Sequence, residues 1–290
     1  MTRKHRLTYT ALTLISGWLR KRTPAIQYRY VHKLAQVFYN HLVIRQKEAR
    51  KNIAIAFPRY SELRRELILK NSYIFFIRNT MQFLSFPRSI QDADITVNGK
   101  EYLDEALAKK RGVILVTGHF GVWEIMLAWF GLNQYSMLVV GQKQKNLGAD
   151  TFVNKLRENA GIKMIPRKSS LEVMYEALAR NNILGLASDQ DAKNRGIFVN
   201  FFRLPASTPK GAGRFHLEYG SPLIFVTCHL EKPNNHVLDI LPVPTDSNSN
   251  IESITQSFTL MLEKIITAYP EQYFWFHRRW KTKPPQTEST

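Results

Sequence analysis

The feature that most constrains the fold is the continuous apolar run Gly112-Val-Ile-Leu-Val-Thr117. Such a run has no polar face. It predicts a strand buried on both sides, which is the condition of a parallel sheet covered by helices. Further strands are expected downstream at 136–140, 162–165, 183–187, 198–202, 222–229 and 237–241. Helical patterns fall between these runs at 101–110, 122–132, 149–159, 170–180 and 211–219, with a long final helix over 251–268. Alternation of this kind predicts an α/β fold, a mostly parallel mixed sheet flanked by helices. Sites in such sheets lie beyond the carboxyl ends of the strands. Upstream, 25–86 reads as helical with a break near Phe57-Pro58. The expected division is a basic, helical, membrane-associating region over 1–95 and an α/β domain over 96–290.

Charge separates the same two regions. The chain carries 41 Lys+Arg against 23 Asp+Glu, a net +18, and residues 1–70 alone hold 16 basic and 3 acidic residues. A basic arm attracts phosphates on nucleic acid, on anionic lipid or on an acidic carrier protein, or is simply a solvated face. Its first segment runs Arg3-Lys4-His5-Arg6, uncharged Leu7 to Leu19, then Arg20-Lys21-Arg22. The uncharged stretch is about 20 Å long as a helix, short of the ~30 Å hydrocarbon core. It reads as an interfacial helix with cationic flanks on an anionic membrane surface, or as an amphipathic helix packed on the domain. The aromatic-rich run Tyr73 to Phe86 either extends such a surface or is core. The single cysteine, Cys228, excludes an intrachain disulfide and fits a reducing compartment.

Chemistry concentrates at two strand ends. Gly118-His119-Phe120-Gly121-Val122-Trp123-Glu124 follows the 112–117 run. The glycines let the backbone turn tightly beside the imidazole. Within one continuous helix His119 and Glu124 would point ~140° apart. They meet only if His119 sits in the turn. So placed, Glu124 would fix the imidazole tautomer while the other nitrogen takes a proton from a hydroxyl. The alternative is a histidine capping a helix and a glutamate favoured by the helix dipole. Ser188-Asp189-Gln190-Asp191 follows the 183–187 run, where the two acids position a substrate, bind a metal or serve the loop. No metal-ligand spacing accompanies them. Arg167, after the 162–165 run, suits a phosphate or carboxylate, or is an exposed loop residue. No Walker A loop, dinucleotide fingerprint or zinc helix is present. The segment 274–284 mixes aromatic and basic residues, as in nucleic-acid stacking or a membrane interface.

Several segments in order resemble the bacterial lipid A late acyltransferases, of the lauroyl/myristoyl transferase type, within the lysophospholipid acyltransferase superfamily. They are Arg50-Lys51-Asn52-Ile53-Ala54-Ile55-Ala56-Phe57-Pro58, the 118–124 segment with its His-x4-Glu, the Arg157 and Arg167 region, and Ser188-Asp189-Gln190-Asp191. Phe198-Val199-Asn200-Phe201-Phe202, Pro205-Ala206-Ser207-Thr208 and 275–284 complete the set. Two features depart from the family. The opening segment is short and threonine-rich, and Arg203 stands where many relatives have glycine. The resemblance implies an O-acyltransferase whose α/β domain is catalytic. It implies transfer of a fatty acyl chain from acyl carrier protein, with coenzyme A the secondary donor, to a hydroxyl of a lipid A precursor. The expected place is the cytoplasmic face of the inner membrane. His119 and Glu124 are then catalytic, and Arg167, Asp189, Asp191 and Arg157 bind substrate. No metal, other cofactor or nucleic acid is implied. A different membrane lipid acceptor, a lysophospholipid or glycolipid, is the alternative.

Overall fold

The computed structural model describes residues 1–232 and 234–285, so residues 286–290 of the region expected to end at 290 lie outside it. The N-terminal helices are α1 (Arg3–Arg20), α2 (Pro24–Val37), α3 (Gln46–Ala56), α4 (Glu62–Leu84) and the short α5 (Arg88–Gln91). Side-chain caps start three of them. Thr2, Thr23 and Ser61 accept from the amides of His5, Ile26 and Arg64. The helical reading of 25–86 holds with the expected break at Phe57–Ser61, and a second, unanticipated break follows a π-helical turn at Phe38–Leu42, where Val43 and Arg45 are left-handed.

The α/β part follows as β1 (Asp94–Asn98), α6 (Lys100–Ala108), β2 (Val113–Thr117), α7 (Trp123–Leu132), β3 (Met137–Gly141), α8 (Leu147–Asn159) and β4 (Lys163–Pro166). Then come α9 (Leu171–Ala179), β5 (Ile183–Ala187), the hairpin β6 (Ile197–Phe201) and β7 (Leu204–Thr208), and α10 (Gly211–Tyr219). The last are β8 (Leu223–Lys232), β9 (Asn235–Pro242) and α11 (Ile251–Ala268).

Seven strands form one sheet in the order β1-β9-β8-β2-β5-β3-β4. All neighbours are parallel except β8 and β9. The expected mostly parallel mixed sheet is therefore present. The central strand β2 is apolar and buried along nearly its whole length because both faces are covered, whereas the edge strand β1 alternates exposed and half-buried residues. Ile114 and Val116 join one core with residues of α3, α4, α10 and α11, while Val113 and Leu115 join the other with residues of α6, α7 and α8. The period of two along β2 thus feeds two cores.

Two segments differ from the sequence reading, and for a third the structure selects between the alternatives left open. β6 and β7 pair antiparallel as a separate hairpin, outside the main sheet. Its turn uses Phe202 and Arg203 at φ 48° and 65°, a left-handed conformation that favours glycine. The aromatic run of α4 is mainly interior, with Tyr73, Phe75 and Phe83 buried. Segment 274–284 is not a stacking platform, because Trp275, Arg279 and Trp280 are buried. Arg279 donates to the Ser207 carbonyl (2.7 Å) and the Thr208 hydroxyl (2.6 Å). Asn52 of α3 donates to the carbonyls of Trp275 (2.7 Å) and His277 (2.6 Å) and clamps the segment in place.

Helix α1 is both packed and exposed. It crosses α8 so closely that a Cβ on Gly148 would lie 1.9 Å from the His5 carbonyl oxygen. Leu7, Leu14, Ile15 and Trp18 remain exposed. Among the described residues no helix is long and apolar enough to cross a membrane.

Candidate functional site

Parallel pairing of β2 and β5 sets Thr117 opposite Ala187, and the Ser188 amide extends the ladder to the Thr117 carbonyl (2.9 Å). His119 stands two residues past one strand end and Asp189 two residues past the other. Equal offsets from adjacent, in-register strands bring them together. His119 Nδ1 lies 2.7 Å from Asp189 Oδ1. The carboxylate is buried, while the imidazole side chain is 31% exposed. Its Nε2 lies 3.4 Å from the Gln190 amide nitrogen. Trp123 and Phe274 flank the ring.

The turn carrying His119 is gripped on several sides. The His119 carbonyl accepts from the Phe274 amide (2.9 Å), the Gly121 amide donates to Gln272 (2.8 Å), and the Val122 amide donates to Cys228 (2.7 Å). Asn79 of α4 donates to the Gly121 carbonyl (3.1 Å). Gly121 adopts φ +64°, and a Cβ there would meet the Cys228 carbonyl oxygen at 1.9 Å. Only glycine fits that close crossing.

Electrostatics favour an imidazolium. Burial disfavours the charged ring, but the Asp189 charge and hydrogen bond outweigh it and Glu124 adds to them. The His119 pKa is raised above its ordinary value. For Asp189 burial raises the pKa, yet the His119 charge and hydrogen bond dominate and the carboxyl is held below its usual range. Tyr273 beside it is pushed well above a normal phenol, first by burial and then by the Asp189 charge.

The expected contact between Glu124 and the imidazole is corrected. Both Glu124 oxygens face Arg157, with Nε to Oε2 at 3.0 Å and NH2 to Oε1 at 2.5 Å. The Trp123 indole N–H donates to Oε1 as well (3.2 Å). Among the described residues no hydrogen bond joins Glu124 to His119. The reason is local. The glycine turn swings His119 toward the end of β5, whereas α7 begins at Trp123 and directs Glu124 toward α8. Glu124 therefore reaches His119 only through space.

The other anticipated residues divide. Asp189 meets His119. Asp191 turns its carboxylate to the C-terminal segment, where the Thr282 hydroxyl donates to Oδ2 (3.0 Å), and its amide donates to His277 Nε2 (3.0 Å). Arg157 is engaged by Glu124. Arg167 is exposed at the end of β4, its amide donating to the Gly141 carbonyl (2.8 Å). Among the described residues no three His, Cys, Asp or Glu side chains converge to hold a metal ion. Sequence reasoning missed Asn79, Gln190, Tyr273 and His277. The signal for His119–Asp189 was present in the equal offset of the two residues from their strand ends.

The Glu124–Arg157 pair is expected to act as a structural strut. Both side chains are largely buried, at 9% and 21% exposure. Glu124→Gln or Arg157→Met should each lower stability by about 3 kcal/mol, the low end for a broken buried pair. A Glu124→Leu/Arg157→Met double variant should recover much of that loss. Urea unfolding measures all three, and a double variant less stable than both singles would contradict a strut.

A sheet whose carboxyl edge presents an imidazole oriented by a buried carboxylate defines an α/β enzyme equipped to move a proton at that edge. Comparison gives the particular family. The family described as "Bacterial lipid A biosynthesis acyltransferase" matches residues 2–282, and the chain belongs to it. It is an acyltransferase. The chain is 28% identical over 279 residues to the lipid A biosynthesis lauroyltransferase of Escherichia coli K12, covering 92% of this chain and 89% of that protein. Against the palmitoleoyltransferase of the same organism it is 26% identical over 291 residues, covering 96% and 92%. Against the phosphatidylinositol mannoside acyltransferase of Mycobacterium tuberculosis it is 24% identical over 191 residues, covering 64% and 60%.

Proposed function

We propose that the chain transfers a fatty acyl group from an acyl carrier protein thioester to a hydroxyl of a lipid A precursor, at the cytoplasmic face of the inner membrane. The observation that supports the reaction is the His119 imidazole, held through Nδ1 by a buried carboxylate with Nε2 on its other side. The names of the relatives support a glycolipid acceptor.

In this reading Asp189 keeps the proton on Nδ1, so Nε2 is the base. Nε2 takes the acceptor hydroxyl proton as the oxygen attacks the thioester carbonyl. Asp189 then stabilises the imidazolium, as a triad carboxylate does. The amides of the first turn of α7 add positive potential for the oxyanion. As the tetrahedral intermediate collapses, the C–S bond breaks and Nε2–H returns its proton to the leaving thiolate. Glu124 raises the proton affinity of His119 from a distance and, with Arg157, braces α7 against α8. Arg167, exposed at the end of β4, is free to meet an anionic substrate group.

Mass spectrometry of lipids after incubation with acyl carrier protein or coenzyme A thioesters tests the reading. A lipid A precursor gaining one acyl group from the carrier protein is the expected product. Acylation of lysophospholipid alone would replace the acceptor, and faster transfer from coenzyme A would replace the donor.

Membrane contact in this reading comes from the outer sides of α1 and α2. Leu14, Ile15 and Trp18 are exposed there beside the Arg20-Lys21-Arg22 cluster. Leu14→Ser/Ile15→Ser should lower partition onto anionic vesicles by about ten-fold or more, since each buried aliphatic side chain contributes about 1.5–3 kcal/mol. Co-sedimentation measures it, and unchanged partition would locate the contact elsewhere.

A further inference from the structure

Apart from the histidine site, a cavity of about 390 Å³ lies between α2, α4 and α5. Arg22, Arg78, Arg88, Gln27, Tyr28 and Gln82 are among the residues lining it, with Asp92 the sole carboxylate in the lining. That carboxylate is already engaged. Arg88 Nε lies 3.2 Å from Asp92 Oδ2, and Arg88 NH1 donates to the Arg20 carbonyl (2.7 Å). Among the described residues the other two guanidiniums have no such partner. Arg22 rests against the Trp18 ring at 4.8 Å, and its buried Nε meets no acceptor among the described residues. Arg78 is half-buried with no carboxylate near enough to offset that burial. A cation withdrawn from water without a counter-charge costs free energy that an anion would return.

The lining also holds an acceptor without a donor. His236 Nδ1 faces the carbonyls of Asp94 (3.3 Å) and Asn234 (3.2 Å), so it carries the proton. Its Nε2 therefore accepts from the Gln82 amide nitrogen at 2.9 Å. This fixes the Gln82 amide and leaves its buried Oε1 unpartnered. Two arginines lining one cavity without carboxylate partners match a ligand with anionic oxygens, the chemistry of a phosphate.

What carries the phosphate follows from the neighbouring surface. Met81 lines this cavity and also an apolar groove of about 340 Å³ formed by α1, α2 and α4, with Ile15, Trp18, Tyr30 and Leu34. Cationic cavity and apolar groove share a wall. We propose that together they bind one anionic lipid, its phosphate between Arg22 and Arg78 and an acyl chain along the groove. The site is distinct from the acyl-transfer site, and its occupancy does not depend on the reaction proposed above.

Titration calorimetry on the full chain with dioctanoyl phosphatidic acid below its critical micelle concentration tests this without an acyl donor. Saturable binding is expected, and inorganic phosphate should bind at least ten-fold more weakly. Arg78→Gln and Arg22→Gln should each weaken lipid binding by ten-fold or more. Lys109→Gln removes the same charge from an exposed position outside both linings and should change nothing. Arg22 lies in the loop after α1, so Arg22→Gln decides the matter if Arg78→Gln does not fold. Equal affinity for inorganic phosphate and for the lipid would overturn the lipid assignment. Binding unaffected by both arginine variants, or weakened equally by Lys109→Gln, would overturn the site.

Discussion

Alanine at position 119 is expected to cut acyl transfer by a factor on the order of 10²–10⁴, the span of a positioned proton-transfer group. The loss should fall on kcat, because in the proposed mechanism Nε2 does its work in the transition state. The variant carries a second cost. Asp189 is 3% exposed, and removing the imidazole strands its charge. Stability should drop by up to about 3 kcal/mol, limited because the imidazole itself is partly open to water. Glutamine at 119 separates the two effects. Its amide N–H can still donate to Asp189, so stability should return in part, but it has no basic nitrogen and the rate should stay low. Initial rates beside urea unfolding of both variants decide the matter. A folded glutamine variant with near-normal turnover would remove His119 from the chemistry.

Much of this arrangement was legible in the chain. The apolar run at 112–117 announced a strand buried on both faces, and β2 is that strand. The glycines around His119 announced a tight turn at its end. What pairwise spacing along the chain could not reveal was the partner of His119. Residues 119 and 124 are close in sequence, but a helix start separates them. Residues 119 and 189 are distant in sequence, yet the register of β2 on β5 makes them neighbours. Sheet order decides such contacts, and order is set by crossovers that no local pattern encodes. The β6–β7 hairpin escaped for another reason. Its residues have strand propensity, but only tertiary packing settles which edge they pair with. Segment 274–284 misled because aromatic and basic residues serve a core as readily as a surface once Arg279 finds backbone acceptors.

Asparagine at 189 should be nearly as damaging as alanine at 119, and its signature is a pH profile. In the native protein the carboxylate accepts from Nδ1–H, which in the proposed mechanism leaves Nε2 as the base. An asparagine amide can instead donate to Nδ1, which favours the tautomer with the proton on Nε2. That ring cannot accept a proton from a hydroxyl, and the imidazolium that would form has lost its counter-charge. A rate loss on the order of 10²–10⁴ is expected, as for the equivalent change in other histidine–carboxylate enzymes. The sign of the pH effect follows from the native shift. Asp189 raises the His119 pKa above its ordinary value, and the base works only when neutral, so the native rate should rise with pH across that raised value. With asparagine at 189 the imidazole loses that support while burial still disfavours its charge. The acid limb of kcat/KM should therefore move to lower pH while the plateau falls. Stability should change in the same region. Native pairing stabilises the fold while His119 is charged and weakens as pH rises through its raised pKa. The asparagine variant should lack that dependence. A variant with the plateau lowered but the acid limb unmoved would mean that Asp189 only packs the turn, and that another group sets the protonation of His119.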